Sequence, residues 1–274
     1  MLLLCLCSKN VLLYAIIEYM DWQTRRKFIY ASSVIVFLIA FSVYIFLEKI
    51  VPVPTCFDNK QNNFESGIDC GGSCSLVCSS EVIPLTVLWT RYIKTDNNTY
   101  DLVAMISNNN TNNAAKNIAY TFTTYNTKGE IIDTFKGVAI TPISSDFPII
   151  RQDVYLEQIP QNVTLTIEDS SHFTVQEKST SPVVQVRGER YEDGEISRVY
   201  ATVRNMKRAV VTDLSLRVLL YDQDNNVYAV GKTVLPRLED EESKEISFTW
   251  KNKLPFSPLR IKVYPIVNPF TVTN

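Results

Sequence analysis

The chain has 274 residues, with 27 Lys and Arg against 29 Asp and Glu, a formal net charge of -2. So even a balance gives no field for steering toward nucleic acid or anionic lipid, and the length allows one or two domains beside any membrane segment. Tyr (14) and Phe (13) are plentiful and Gly (8) is scarce, which fits ordered β structure better than flexible linker.

Residues 1–19 are apolar but split by Ser8, Lys9 and Asn10 into pieces too short to span a bilayer. Met20 opens a segment that reads as a natural beginning, so 1–19 is expected to be an upstream extension of the gene. The alternative is an amphipathic segment on the inner face of the membrane. Cys5 and Cys7 receive no role. From Phe28 to Leu47 come twenty residues with no charge, Pro or Gly. As a helix this run is ~30 Å long, the thickness of a bilayer's hydrocarbon core. Arg25, Arg26 and Lys27 precede it and predict a cytoplasmic N-terminus, with the rest of the chain outside. The apolar run exceeds a signal-peptide core and no small-x-small site follows, so an uncleaved signal anchor is expected.

Pro52 and Pro54 favour an extended spacer, and Cys56, Cys70, Cys74 and Cys78 follow within a module spanning 51–80. So small a module cannot hold a hydrophobic core. On the oxidising side of a membrane, two disulfides are the expected staple. Three pairings are open, and zinc is the rival ligand for the same thiols. Asp58, Asn62, Glu65 and Asp69 are oxygen donors of the kind calcium takes; a polar, turn-rich loop is the structural alternative. The stretch from Cys56 through Asp58, Asn62, Glu65, Gly67, Asp69, Cys70, Gly71 and Gly72 to Cys74 resembles a cysteine motif of bacterial envelope and secreted proteins. That resemblance implies export and brings no chemistry with it.

Beyond Val82 the apolar pattern has period two. Ile118, Tyr120, Phe122 and Thr124 alternate, as do Leu214, Leu216, Val218 and Leu220, and Ile246, Phe248 and Trp250. Turns are expected at Ser107–Asn113, Thr127–Gly129 and Asp222–Asn226. The chain also repeats itself. Asn108 falls on Asn205, Phe122 on Val218, Tyr125 on Tyr221 and Gly129 on Asn225, and Val163, Leu165 and Ile167 fall on Leu259, Ile261 and Val263. A repeat of this size is a domain. The expected fold class is mainly β: one N-terminal transmembrane helix, a small disulfide-rich module, and two tandem immunoglobulin-like β-sandwiches at 81–178 and 179–274. A polar linker near Glu177–Pro182 would make the copies separate folding units.

Val218-Leu219-Leu220-Tyr221-Asp222, with Asn205 upstream, resembles the FxLYD-type domain of bacterial envelope proteins, and Phe122-Thr123-Thr124-Tyr125-Asn126 holds the same place in the first copy. Val218, Thr124 and Asn126 depart from that motif. The resemblance implies fold more than function.

Chemistry is sparse. His172 is the only histidine, which excludes multi-histidine metal sites. No phosphate-loop, dinucleotide, zinc-protease or nucleophile-elbow string occurs. Glu239-Asp240-Glu241-Glu242 reads as a solvated turn. Asn97, Asn109 and Asn162 begin N-x-T sequons, which matter only in a glycosylating host. The expected protein is a non-enzymatic, membrane-anchored envelope scaffold or interaction module, with the membrane and other envelope proteins as partners and no nucleic acid. The alternative is a sensory ectodomain that binds calcium or a small ligand.

Overall fold

The structure is a computed structural model in which residues 21–50, 55–62, 64–168, 173–175 and 183–268 are described, with side chains at all but 47–50 and 175. Cys5, Cys7, Pro52, Pro54, His172 and the expected linker at 177–182 lie outside the described residues. Among the described residues the protein is mainly β, with one apolar helix, two disulfides and several small antiparallel sheets. It divides into two units, Met1–Thr55 and Cys56–Asn274.

Helix α1 (Trp22–Ile50) has 29 residues, about 44 Å at the α-helical rise. Its Trp22–Phe46 stretch is long and apolar enough to cross a membrane. The Asp21 carbonyl accepts the amides of Thr24 and Arg25 and opens the helix. Arg25, Arg26 and Lys27 lie inside its first turns rather than ahead of it, because Arg and Lys are good helix formers. Ser32 and Ser33 donate to the carbonyls of Ile29 and Tyr30, so the two hydroxyls meet the helix's own backbone.

The second unit begins with the cysteine module. Its first half continues through β1 (Thr86–Asp96), β2 (Thr99–Ser107), β3 (Asn113–Ala115), β4 (Ile118–Tyr125), β5 (Ile131–Ala139), β6 (Asp146–Tyr155), β7 (Asn162–Ile167) and β8 (Phe173–Val175). The second half has β9 (Val184–Glu192), β10 (Arg198–Asn205), β11 (Val211–Tyr221), β12 (Val227–Leu238), β13 (Ser243–Thr249) and β14 (Arg260–Ile266). The first half forms sheets β1-β2-β6 and β5-β4-β7; the second forms β9-β10-β13 and β12-β11-β14. The topology therefore repeats strand for strand, with the β3–β8 pair added in the first half.

The repeat reaches to single bonds. Asn108 and Asn205 are both fully buried at the ends of β2 and β10. Asn108 Nδ2 donates to the carbonyls of Asn113 and Pro142, while its Oδ1 accepts the Asn110 amide. Asn205 Nδ2 donates to Ala209 and Glu239, and its Oδ1 accepts the Lys207 amide. Each asparagine thus satisfies buried backbone groups that no ladder reaches. The turns after β4 and β11 match as well. Asn126 Oδ1 accepts the amides of Lys128 and Glu130, as Asp222 Oδ1 accepts those of Asp224 and Asn226. Gly129 (φ 79°) and Asn225 (φ 61°) take the left-handed position.

One alignment moves. Thr124 pairs with Val163 as Leu220 pairs with Ile261, and Phe122 pairs with Leu165 as Val218 pairs with Val263. Val163 and Leu165 therefore correspond to Ile261 and Val263, two residues beyond the match made by sequence. Loop lengths differ between the copies, and a single gap misplaces the last strand.

The alternating strands bury as their pattern requires. Leu214, Leu216, Val218 and Leu220 face a core with Val199, Ala201, Val203, Ile246, Phe248 and Trp250. The odd positions at the end of β11 are buried too. Leu219 and Tyr221, with Val227, Val230, Tyr264 and Ile266, join the core of the first half. Cross-strand pairing shows which face meets them. Trp89 lies opposite Met105, Arg91 opposite Val103, and Met105 and Val103 opposite Pro148 and Ile150, so all share one face of β1-β2-β6. From that face Arg91 donates to the Val227 carbonyl and to Asn226 Oδ1, and the Pro148 carbonyl accepts from Arg217. The facing sheets β1-β2-β6 and β12-β11-β14 are thus the two inner layers of a stack. Two separate folding units were expected, and the shared core joins them instead.

Candidate functional site

The cysteine module is built from turns, and its motif residues each have a backbone to satisfy. Cys56 is bonded to Cys74 and Cys70 to Cys78, which selects one pairing of the three open by sequence. Asp69 accepts the amides of Asp58 and Asn59. Asp58 accepts the Lys60 amide and the Asn62 side-chain amide. The buried Glu65 accepts the amides of Asn62 and Asp69 through Oε2. Gly72 has φ 58°, and a Cβ there would stand 1.8 Å from the Phe64 carbonyl oxygen. A Cβ on Gly67 would meet both Cys70 and Cys78 sulfurs at 2.9 Å.

These bonds bear on metal chemistry. Cys56, Glu65 and Cys74 bring their donor atoms within 4.8 Å of one another, but the two sulfurs are bonded to each other and are not thiolates. The calcium candidates Asp58, Glu65 and Asp69 spend carboxylate oxygens on backbone amides, which are themselves partial positive charges. Asn62 Oδ1 is buried without a partner among the described residues. The module also has a seat: the Val77 amide donates to the Phe173 carbonyl, and Leu76 bridges to Thr174, so it extends the β3–β8 sheet. Val77 packs with Ala115, Ile118 and Phe173.

The topology residues Arg25, Arg26 and Lys27 are exposed, with Arg26 lying over the Trp22 ring at 4.0 Å. The acidic run Glu239–Glu242 turns between β12 and β13, where Arg237 pairs with Glu239 and the Glu239 amide donates to Glu242.

Sequence reading missed a cleft at the edge of the stacked sheets. Trp89, Thr90, Arg91, Tyr221, Asn225, Val227 and Arg260 line a half-open cavity of about 360 Å3. Both halves contribute walls, so only the stacking of the two sheets assembles it. The Arg260 guanidinium carbon lies over the Tyr221 ring, 3.8 Å from its centroid. Burial pushes the Tyr221 phenol up to about 12, with a hydrogen bond to Tyr264 adding to the effect, so at neutral pH it is an uncharged platform. Deeper in the interface Asp101 is 2% exposed and accepts the Asp153 amide. Burial raises its carboxyl to about 6, and Asp153 adds like charge while Lys232 opposes. Burial also lowers Arg217 to about 10.

No protein-family model matches this chain, and no curated protein matches it. Among solved structures, red sea bream transglutaminase is similar over 69% of this chain and 30% of its own length, at 10% identity and a TM-score of 0.22. A score that low carries no argument about fold or function.

Proposed function

We propose that the protein is a non-enzymatic scaffold or interaction module of a bacterial cell envelope, held by a single-pass anchor with its N-terminus in the cytoplasm. The observation that carries this reading is the pairing of a membrane-length helix with a β unit whose motif carboxylates and repeat asparagines are spent on holding the unit together. The module's carboxylates cap turns, the repeat's asparagines satisfy buried carbonyls, and the disulfides suit an oxidising compartment. Each sheet pair is read as an immunoglobulin-like sandwich, related to the FxLYD-type domains that the two motif stretches resemble. The partners are the membrane and other envelope proteins. The basic residues Arg25, Arg26 and Lys27 set the orientation.

Protease added to intact spheroplasts tests the placement. The β unit should be digested from outside while the N-terminal segment is kept. Protection until lysis would put the β unit in the cytoplasm and end the envelope reading.

A further inference from the structure

We propose that the cleft between the stacked halves is a binding site for an acidic sugar, taking the carboxylate of a uronic acid. Two guanidinium groups, Arg91 and Arg260, line one cavity of about 360 Å3. Ion pairs among the described residues employ Arg190, Arg208, Arg237, Lys251 and Lys253, and neither cleft arginine is among them. The acid of the adjoining turn, Asp222, is turned to its own backbone, accepting the amides of Asp224 and Asn226. The cleft therefore carries positive charge that the protein leaves for something else.

Both guanidiniums are fixed in place. Arg91 is held by the Val227 carbonyl at 3.2 Å and Asn226 Oδ1 at 2.9 Å, and Arg260 by stacking on Tyr221. Both terminal nitrogens of Arg91 already donate within the protein, so it supplies mainly positive charge, whereas the planar fork of Arg260 is left to match the two oxygens of a carboxylate. Beside them stands the half-buried Trp89, a flat apolar surface of the kind on which the C–H face of a pyranose rests, while the buried Tyr221 ring is covered by Arg260. The exposed amide of Asn225 completes the rim with a donor and an acceptor for hydroxyls. The volume lies at the small end of ligand pockets, which suits one or two sugar rings rather than a folded partner. An acidic peptide could meet the cations, but it would make less use of the aromatic wall.

Titration calorimetry of the full chain in detergent micelles tests this, with glucuronate and trigalacturonate as probes, maltotriose as the neutral control and triglutamate as the peptide control. Saturable uronate binding in the millimolar range or tighter is expected, weakened by salt, with no heat from maltotriose. Arg260→Gln should lower uronate affinity about tenfold or more, while Arg187→Gln on β9 leaves it unchanged. Arg260→Lys keeps the charge without the fork and should fall between. Thermal melts of each variant separate lost binding from lost fold. Absence of uronate binding to the unaltered chain overturns the proposal, as does equal loss in Arg187→Gln. Binding of maltotriose or triglutamate as tight as the uronates would equally reject an acidic-sugar site. Each of these results is independent of which side of the membrane the β unit occupies.

Discussion

Asn205 shows what a single matched residue can and cannot tell. Its alignment with Asn108 was legible as a repeat, but nothing in the local pattern hints that both side chains are buried and bonded to loop carbonyls. That role needs the loop after each strand to fold back over its own strand end, which no local pattern records. Asn205→Ala should leave the Ala209 and Glu239 carbonyls and the Lys207 amide without these partners. A loss of about 2–4 kcal/mol in chemical denaturation is expected. Asp101 makes a pH prediction. Burial pushes its folded carboxyl up from the ordinary 3.8 to about 6 and so favours the protonated form. Stability from this group is full below about pH 4 and declines as pH rises through 6. Asp101→Asn keeps an acceptor for the Asp153 amide and removes the charge. The variant should melt higher than the unaltered protein at pH 7.5, by on the order of 1–3 kcal/mol, and the gain should vanish near pH 4.

At the scale of elements, period-two alternation placed β4, β11 and β13 correctly because one face of each is a simple hydrophobic row. It failed for the second faces. With one apolar row on β11, its other face, with Ser215, Arg217 and Leu219, would be the solvent side, yet Ser215 and Arg217 are half-buried and Leu219 is fully buried. The Val103–Ile106 run of β2 carried the opposite signal, since a strand buried on both faces is continuously apolar. The cysteine module was legible as a disulfide element, but its pairing and its docking on β8 were not, because both depend on contacts distant in sequence. Gly72→Ala should drive its Cβ into the Phe64 carbonyl and block oxidation, leaving alkylatable thiols where the unaltered module has none. Calcium chelation should leave the melt of the β unit unchanged, since backbone amides already occupy carboxylate oxygens of Asp58, Glu65 and Asp69. A chelator that lowers the melting temperature would restore the calcium reading.

For the whole molecule, the stacked inner sheets decide how the β unit behaves under load. Tandem domains on a linker would bend, whereas halves sharing Leu219, Val230, Tyr264 and Ile266 with Val103, Met105 and Ile150 move together. Joined halves suit the proposed scaffold role by presenting one fixed surface, and the cleft walled by Trp89 and Arg260 exists only while the halves are joined. Calorimetry of the unaltered chain beside Leu216→Ala and Leu219→Ala tests this coupling most directly. Leu216 lies in the second half's own core and Leu219 between the halves, and each truncation should cost about 2–5 kcal/mol. The shared core predicts one β-unit transition in all three proteins, shifted downward as a whole by either substitution. Two transitions, with Leu216→Ala lowering only one of them, would mean that the halves fold independently and would contradict the stacked arrangement.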